Sequence, residues 1–162
     1  MDRAERREFV RTHRTAVFGY NRKSDGPAQS IVYYVADGDE LLVSTMGARA
    51  KAKAVERLGK VSLCVLDEQW PPSYLVVYCA ANLETEPRAV VDLMMRIAGV
   101  MAGQSMPEEI RPSVAEAAKL EQRVVARLRP YATFQTPPKH VYEAQDISPR
   151  LLHSLGQTMP WR

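Results

Sequence analysis

One segment, residues 41–66, constrains the fold more than any other part of the chain. It joins an apolar strand, a few small residues, a helix that begins with cations and a second apolar strand. Ser44 and Thr45 end the first strand, and Gly47 and Ala48 leave backbone N–H groups uncovered where the helix starts. The cations add positive charge at the end where the helix dipole is already positive. The segment therefore predicts a strand-to-helix junction that binds an anion, such as a phosphate group.

Lys51 occupies an unexpected position in this helix. At about 100° per residue, the apolar side chains cover one side with Lys51 in their middle, whereas Arg49 and Lys53 lie opposite. A lysine that faces the protein interior needs a negative partner, and the one acidic residue of the helix, Glu56, lies on the far face. We therefore expect Lys51 to neutralise a bound anion, with Arg49 reaching the same group from the preceding loop. The alternative is that all three cations form an ordinary solvated helix face.

Composition excludes several other classes of protein. The 162 residues, of which 46% are hydrophobic, suffice for one domain with a real core and are few for two. No apolar run is long enough to span a membrane and the N-terminus is charged, so we expect no membrane span, no secretory signal and a cytoplasmic location. Cys64 and Cys79 lie in apolar runs without CxxC spacing, which predicts reduced core residues and no metal site. A net charge of +3 is too small to indicate a nucleic-acid binder.

The periodicity of the first half of the chain predicts one helix and then mostly strands. Residues 2–13 form an amphipathic pattern, and the runs that follow are rich in β-branched and aromatic residues. Asp37-Gly38 predicts a tight hairpin. The predicted strands are 15–22, 28–36, 40–45, 61–66 and 74–83. With a closing strand near the C-terminus these make six, which predicts a small antiparallel barrel.

The second half begins with a helical segment. Thr85 is the predicted cap of a helix that starts at Pro87, and a second helix, after Ser105-Met-Pro-Glu108 and with a kink at Pro112, runs to about Arg129. The closing strand is predicted at 131–134 and 140–144, interrupted at Pro137-Pro138. An apolar stripe on the helix that starts at Pro87 is expected to belong to the core rather than to a cofactor pocket. Its members are Val90, Val91, Met94, Ile97, Ala98 and Met101.

Several short motifs occur together with this order of elements. They are Thr15-Ala-Val-Phe, Asp25-Gly-Pro-Ala-Gln-Ser-Ile-Val-Tyr-Tyr-Val, Asp37-Gly-Asp-Glu-Leu-Leu-Val-Ser-Thr, Arg49-Ala-Lys-Ala-Lys and Val61-Ser-Leu. The chain resembles the pyridoxamine-phosphate-oxidase-like split β-barrel superfamily over roughly residues 9–84, and within it the flavin and deazaflavin oxidoreductases that use coenzyme F-420. The resemblance implies a mainly β fold with helices, an α+β antiparallel Greek-key split barrel of the FMN-binding type. We expect a single domain over 1–162, with its barrel core at about 14–84 and 130–146 and a helical insertion at about 87–129.

The resemblance also implies a homodimer with two cofactor sites at the interface between subunits. By this similarity Ser44, Thr45, Arg49, Lys51 and Lys53 hold the cofactor phosphate, and Gln29, Ser30, Ile31 and Val32 lie along the ring. The partner subunit completes the site from its 70–74 region, which contains Trp70 and Tyr74. No catalytic side chain is assigned, because the cofactor performs the hydride transfer and the protein positions it.

The implied activity is hydride transfer from a reduced deazaflavin, coenzyme F-420, to an unidentified small organic acceptor such as an enone, a quinone or a tetrapyrrole. The cations at Arg49, Lys53, Arg57 and Lys60 continue towards solvent and suit a coenzyme with an extended anionic tail. FMN is the alternative cofactor for an oxidoreductase of the same fold. The C-terminus lacks the arginine-rich substrate motif of true pyridoxamine phosphate oxidases, which disfavours vitamin salvage.

Two other classes of function stay open from the sequence. The first is a flavin- or haem-binding protein on the same barrel without turnover. The second is a nucleic-acid or acidic-protein binder that uses the cationic helix, although the absence of aromatic residues among its cations disfavours base stacking.

Overall fold

Antiparallel strands form the largest part of the structure, a computed structural model that describes residues 1–67, 69, 73–135 and 156–162. Within these residues the strands are β1 (Thr15–Asn21), β2 (Pro27–Tyr33), β3 (Val35–Asp37), β4 (Glu40–Met46), β5 (Lys60–Asp67), β6 (Ser73–Glu84), β7 (Arg123–Gln135) and β8 (Gln157–Pro160). The helices are α1 (Arg3–Thr12), α2 (Ala50–Leu58), α3 (Pro87–Ala102) and α4 (Arg111–Leu120), the last preceded by a 3-10 turn at Glu108–Ile110. The strand order is β2-β1-β5-β6-β7-β4-β3, with β8 beside β7.

The sheet curls until its two edges approach each other. β2 and β3 lie at opposite ends of the strand order, yet only Tyr34 separates them in the chain. One residue cannot cross a flat sheet whose strands lie about 4.8 Å apart, so the sheet must bend round on itself. The Tyr34 side chain is buried, and its hydroxyl donates to the carbonyl oxygen of Val10 in α1 at 2.6 Å. The resulting half-barrel confirms the predicted split-barrel fold.

The connections are those of a Greek key. β5, β6 and β7 are neighbours in turn, and β4, which precedes them in the chain, lies beside β7 after the crossover through α2. Each of the pairings between strands is antiparallel. The inner face of the curled sheet holds the main core, in which the largest fully buried side chains include Phe18, Leu63, Leu75, Val77 and Leu128.

Helices α3 and α4 pack on the outer face of the β4–β7 pair. Successive side chains of a strand point to opposite faces, so Leu41 joins the inner core whereas Leu42 faces the helices. Val125 of β7 does the same as Leu42. These residues form a second buried cluster with Val90, Val91, Leu93 and Met95 of α3 and Ala118 of α4. The helices therefore hold one end of β4 and β7 between two apolar layers.

The helical segment is shorter than the sequence predicts. The expected helix to about Arg129 is wrong, because α4 ends at Leu120 and β7 begins at Arg123. Gln122 has a φ of 49°, a left-handed conformation that cannot continue a helix, and the β-branched residues that follow favour a strand. β7 then passes through Pro130, where a register shift in its pairing with β6 accommodates a residue without an N–H group.

Two other boundaries differ from the prediction. The strand expected at 28–36 is divided into β2 and β3, because the chain turns at Tyr34 to cross between the edges of the sheet. Helix α3 begins at Pro87 as predicted, but its N-cap is Glu86 rather than Thr85. The Glu86 carboxylate accepts hydrogen bonds from two backbone N–H groups of the first turn, at 3.0 and 2.6 Å. A carboxylate at this position also interacts favourably with the helix dipole.

The other predicted elements are confirmed to within one or two residues. They are the helix at 2–13 and the strands at 15–22, 40–45, 61–66 and 74–83. The predicted strand at 140–144, with its interruption at Pro137-Pro138, lies outside the described residues. β8 was not predicted, since the C-terminal residues carry no clear period. In the described ranges, the helices are too short or too polar to cross a membrane.

Candidate functional site

A cavity of about 380 Å³ lies in the split of the half-barrel, between β2 and β4. β3 pairs with β4 only as far as Leu42, and in the described part of the chain β2 has β1 as its single partner. The facing edges of β2 and β4 are therefore open to each other, and α3 covers the gap. We call this space the cationic cavity. It is lined by Ile31, Val32, Tyr33, Ser44, Thr45, Met46, Arg49, Lys51, Met94, Ile97, Ala98, Met101 and Arg123.

The first turn of α2 forms one end of the cationic cavity. Arg49 is the N-cap residue, with extended backbone angles of φ −71° and ψ 149°, and its side chain makes no capping hydrogen bond. The first turn contains no acidic residue. Since the N-cap side chain makes no capping hydrogen bond and the first turn has no carboxylate, the positive dipole end of α2 is available, within the described part of the chain, to an anion in the cavity. Local structure thus agrees with the strand-to-helix junction that the sequence predicts.

Lys51 faces the interior, as its position on the helix predicts. Its residue surface is 8% exposed, and among the described residues no carboxylate lies within 4.0 Å of its ammonium group. Its Nζ atom lies 5.5 Å from the centre of the Phe18 ring, a cation–π contact. Burial lowers the pKa of Lys51, and the nearby charges of Arg49 and Arg123 lower it further. The lysine is therefore a buried cation whose surroundings disfavour its charge.

Two hydroxyl groups at the end of β4 also lack partners. The side-chain oxygens of Ser44 and Thr45 are buried and have no hydrogen-bond partner in the described part of the structure. A buried polar group without a partner costs about 1 to 3 kcal/mol, so such groups are uncommon in a folded protein. Both residues line the cationic cavity beside Lys51. Hydroxyl donors next to a buried cation form a suitable set for a phosphate or carboxylate oxygen.

The opposite wall of the cationic cavity is apolar. The sequence predicts the α3 stripe as core, and this is correct for Val90 and Val91, which are buried, and for Met94 and Ile97, which pack against the second buried cluster. The last four members, Met94, Ile97, Ala98 and Met101, also line the cavity, which the sequence does not predict. At the mouth, Ile31 is 78% exposed and Met101 is 55% exposed. An apolar or aromatic part of a ligand would cover these side chains and remove them from water.

Arg123 is a cavity residue that the sequence did not indicate. It was expected inside a helix, whereas it begins β7 directly opposite Met46 of β4. Its Nε atom donates to Glu121 at 2.5 Å, and its charge contributes to the lowered pKa of Lys51. The strand character of Val124 and Val125 was the available signal, because a strand here places Arg123 beside the end of β4.

The cavity brings together most of the predicted site residues. Ile31, Val32, Ser44, Thr45, Arg49 and Lys51 line it. Gln29 and Ser30 lie earlier on β2 and outside the lining, although the Ser30 hydroxyl is buried without a partner among the described residues. Lys53 is exposed on α2, and Tyr74 lies on β6 away from the lining. Trp70 lies outside the described residues.

The chemistry of the lining suits binding better than acid–base or nucleophilic catalysis. The lining residues include three cations and no carboxylate, histidine or cysteine. Tyr33 carries the only phenol among them. In the described ranges no group of acidic, histidine and cysteine side chains has the arrangement of a metal site. The cavity can therefore hold an amphipathic ligand with its anionic end at α2 and its apolar part between β2 and α3.

Comparisons with known proteins agree with this fold. A model of the pyridoxamine 5'-phosphate oxidase family matches residues 3–136. None of the curated proteins matches the chain in sequence. Among solved structures, the conserved hypothetical protein Rv2991 from Mycobacterium tuberculosis is 21% identical, with a TM-score of 0.70 and 82% of each chain covered.

Two further solved structures are similar in fold and differ in their named roles. An F-420 reductase is 17% identical, with a TM-score of 0.61, over 78% of this chain and 93% of the reductase. The haem storage protein HutZ from Vibrio cholerae is 17% identical, with a TM-score of 0.57, over 78% of this chain and 88% of HutZ. At these identities the likeness shows a common fold.

Proposed function

The chain belongs to the pyridoxamine 5'-phosphate oxidase family, and we propose that it is an oxidoreductase that holds a phosphorylated deazaflavin, coenzyme F-420, in the cationic cavity. The family match supports a flavin-related role, and the similar fold of an F-420 reductase supports the choice of the deazaflavin. The proposed reaction is hydride transfer to a small organic acceptor, such as an enone, a quinone or a tetrapyrrole.

The observation that carries the proposal is the burial of Lys51 without a carboxylate partner among the described residues. A buried cation is costly unless an opposite charge and hydrogen bonds compensate it. Here the nearby ionised groups are Arg49 and Arg123, which raise the cost. A phosphate group would neutralise the lysine and supply acceptors for the unpartnered hydroxyls of Ser44 and Thr45. The same ligand would therefore relieve two separate unfavourable features.

In this proposal the residues of the chain bind the cofactor and orient its ring. Lys51, Arg49 and the β4 hydroxyls would hold the phosphate, while Ile31 and Val32 of β2 would lie along one side of the ring. The α3 side chains would cover the other side and exclude water from it. The chemistry that the bound coenzyme supplies is hydride transfer, and no side-chain nucleophile is needed for it.

A coenzyme with an anionic tail would also meet cations outside the cavity. Arg57 donates to the backbone oxygen of Asn21 at 2.7 Å and is engaged in the fold. Lys53 and Lys60 are exposed near the same helix and can attract a negatively charged tail, although screening by salt weakens this attraction. FMN, which lacks such a tail, would use only the cavity.

We also propose that the protein is a homodimer. The outer face of β5–β7 exposes apolar side chains, with Leu66 48% and Tyr131 49% exposed and the Tyr131 ring stacked on Tyr78. Ile31 is exposed at the cavity mouth, so a second copy could bury it and complete the wall of the site. Light scattering on the purified protein tests this, and a monomer at micromolar concentration would contradict it.

Ligand titration tests the proposed cofactor. The purified protein is titrated with coenzyme F-420 and with FMN, and binding is followed by fluorescence. Lys51→Met is expected to weaken binding by at least tenfold, because a charge-assisted hydrogen bond contributes roughly 1.5 to 3 kcal/mol. Lys60→Met is the matched control in the FMN titration, since Lys60 is exposed and outside the lining and FMN has no anionic tail that could reach it. Equal affinity of the two variants would remove Lys51 from the site.

Turnover separates an oxidoreductase from a storage protein. Reduced coenzyme F-420 is incubated with the protein and a panel of enones, quinones and tetrapyrroles, and its reoxidation is followed by absorbance. Acceptor-dependent reoxidation that disappears in Lys51→Met supports the proposal. Tight binding of haem or flavin with no turnover for any acceptor would instead identify a binding protein.

A further inference from the structure

Arg123 is placed at the cationic cavity by the register of two strands and by the turn before it. β4 and β7 pair so that Thr45 faces Val124 and Met46 faces Arg123. The backbone N–H of Gly47 donates to the carbonyl oxygen of Gln122 at 2.9 Å, which ties the two chain segments together just beyond this pair. The guanidinium is therefore carried on a fixed backbone position rather than on a free loop.

One side of the Arg123 guanidinium is already occupied. Its Nε atom donates to Glu121 at 2.5 Å, and among the described residues this is the only hydrogen bond of the Arg123 side chain. The two terminal amino groups of Arg123 have no partner in the described part of the structure. The Arg123 side chain is 28% exposed, so most of its surface is withdrawn from water. A planar fork with one edge fixed and the other free is suited to an anion that offers two oxygens.

Arg123 and Lys51 approach each other although like charges repel. The charge of Arg123 lowers the pKa of Lys51, and both residues line the same cavity. Glu121 pairs with Arg123 but is absent from the cavity lining. The carboxylate thus holds the arginine from outside, and the cavity itself keeps its excess of positive charge.

We propose that Arg123 is a specificity-determining residue, which binds the anionic group of the ligand together with Lys51, and that Glu121 is the residue that positions it. This inference rests on the proposed function, since it assigns Arg123 to the same ligand. A third cation favours ligands that carry a phosphate over ligands with the same ring and no phosphate. Arg123 therefore sets how strongly the site distinguishes a phosphorylated cofactor from its dephosphorylated form.

Paired ligands test the proposal. Affinities for FMN and riboflavin are compared, and so are those for coenzyme F-420 and its deazaflavin ring with the ribityl chain alone, which lacks both the phosphate and the tail, the weaker ligand of each pair being measured by competition. Arg123→Met is expected to reduce the preference for the phosphorylated ligand by about tenfold, through weaker binding of that ligand alone. Arg123→Lys is expected to lose less, because it keeps the charge and loses the fork. Glu121→Ala is expected to reduce the preference for the phosphorylated ligand by less than Arg123→Met does. Glu121→Gln is expected to keep part of the preference that Glu121→Ala loses.

The matched control is Arg129→Met, on the same strand and 63% exposed, which should leave the preference unchanged. Thermal unfolding without ligand shows whether each variant is folded. Equal weakening of both members of a ligand pair would assign Arg123 a structural role and overturn the inference, as would an unchanged preference. If Lys51→Met reduces the preference and Arg123→Met does not, the inference fails and the proposed function stands. If the parent protein shows no preference for the phosphorylated ligand, both fail.

Discussion

The cations at the two ends of the β4–β7 strand pair differ in whether they have carboxylate partners. At the end where β4 begins, Arg127 donates to Glu84 at 2.6 Å and to Glu40 at 2.7 Å. These hydrogen bonds raise the pKa of Arg127, because both favour its charged form. At the other end, where β4 stops, Lys51 has no carboxylate partner within the described residues and its pKa is lowered. We call the first end, with Arg127, Glu40 and Glu84, the paired end; the second end is the cationic cavity.

The difference shows which charges serve the fold and which are kept for a ligand. The three charged side chains of the paired end are each about 30% exposed or less, and they satisfy one another. The cationic cavity lies at the other end of the same two strands, where Lys51 of α2 is buried more deeply, and among the described residues Lys51 and the hydroxyls of Ser44 and Thr45 have no polar partner. Since folding alone would favour the paired arrangement at both ends, the unsatisfied end is best explained by a bound anion.

The largest effect is expected from breaking the paired end. Arg127→Met leaves Glu40 and Glu84 close together without their shared cation, so it should lower the free energy of unfolding by about 2 kcal/mol. Urea unfolding measures this loss. Arg129→Met is the control, since Arg129 lies 3.7 Å from Glu40 and is largely exposed. A loss no greater than that of the control would show that the paired end contributes little to stability.

Lys51→Met should change the free energy of unfolding in the opposite direction to Arg127→Met. Removing a buried, unpaired ammonium group and keeping an apolar side chain of similar length is expected to raise the free energy of unfolding of the ligand-free protein by about 1 kcal/mol. The same variant should bind the proposed cofactor more weakly. Urea unfolding without ligand checks the first effect, with Lys60→Met as control. Destabilisation by Lys51→Met would mean that the lysine already has a stabilising partner, and the contrast between the two ends would disappear.

The order of elements and the orientation of Lys51 could be predicted from the sequence because both depend on local periodicity. The contribution of α3 and Arg123 could not. Met94 and Met101 repeat like core residues, and only the position of the split in the barrel decides that they face a cavity. Arg123 depends on where α4 ends, which is fixed by the left-handed turn at Gln122 and not by the apolar pattern.

The contrast also predicts how stability depends on pH. The pKa of Lys51 in the folded state is below its ordinary value of 10.5, so between these two values the unfolded chain binds more protons than the folded one. The cost of the buried charge is therefore full below the folded-state pKa and disappears as the pH rises towards 10.5. The advantage of Lys51→Met over the parent should shrink by some tenths of a kcal/mol between about pH 7 and about pH 10. Parallel urea unfolding at the two pH values measures it, and a constant difference would mean that Lys51 keeps an ordinary pKa.

The smallest effect is expected at Lys53, which tests how far the cationic cavity extends. The sequence groups Lys53 with Arg49 and Lys51, but Lys53 is exposed and outside the lining. An exposed charge interacts weakly with an anion across water, so Lys53→Met should change FMN affinity by less than about twofold. The affinity for coenzyme F-420 should fall further than that for FMN, because only the anionic tail of coenzyme F-420 would reach this surface. High salt should remove this additional loss of affinity. Fluorescence titration of both ligands at low and high salt measures this. An equal, salt-independent loss for both would place Lys53 at the phosphate itself and would move the boundary between solvated and functional cations outward along α2.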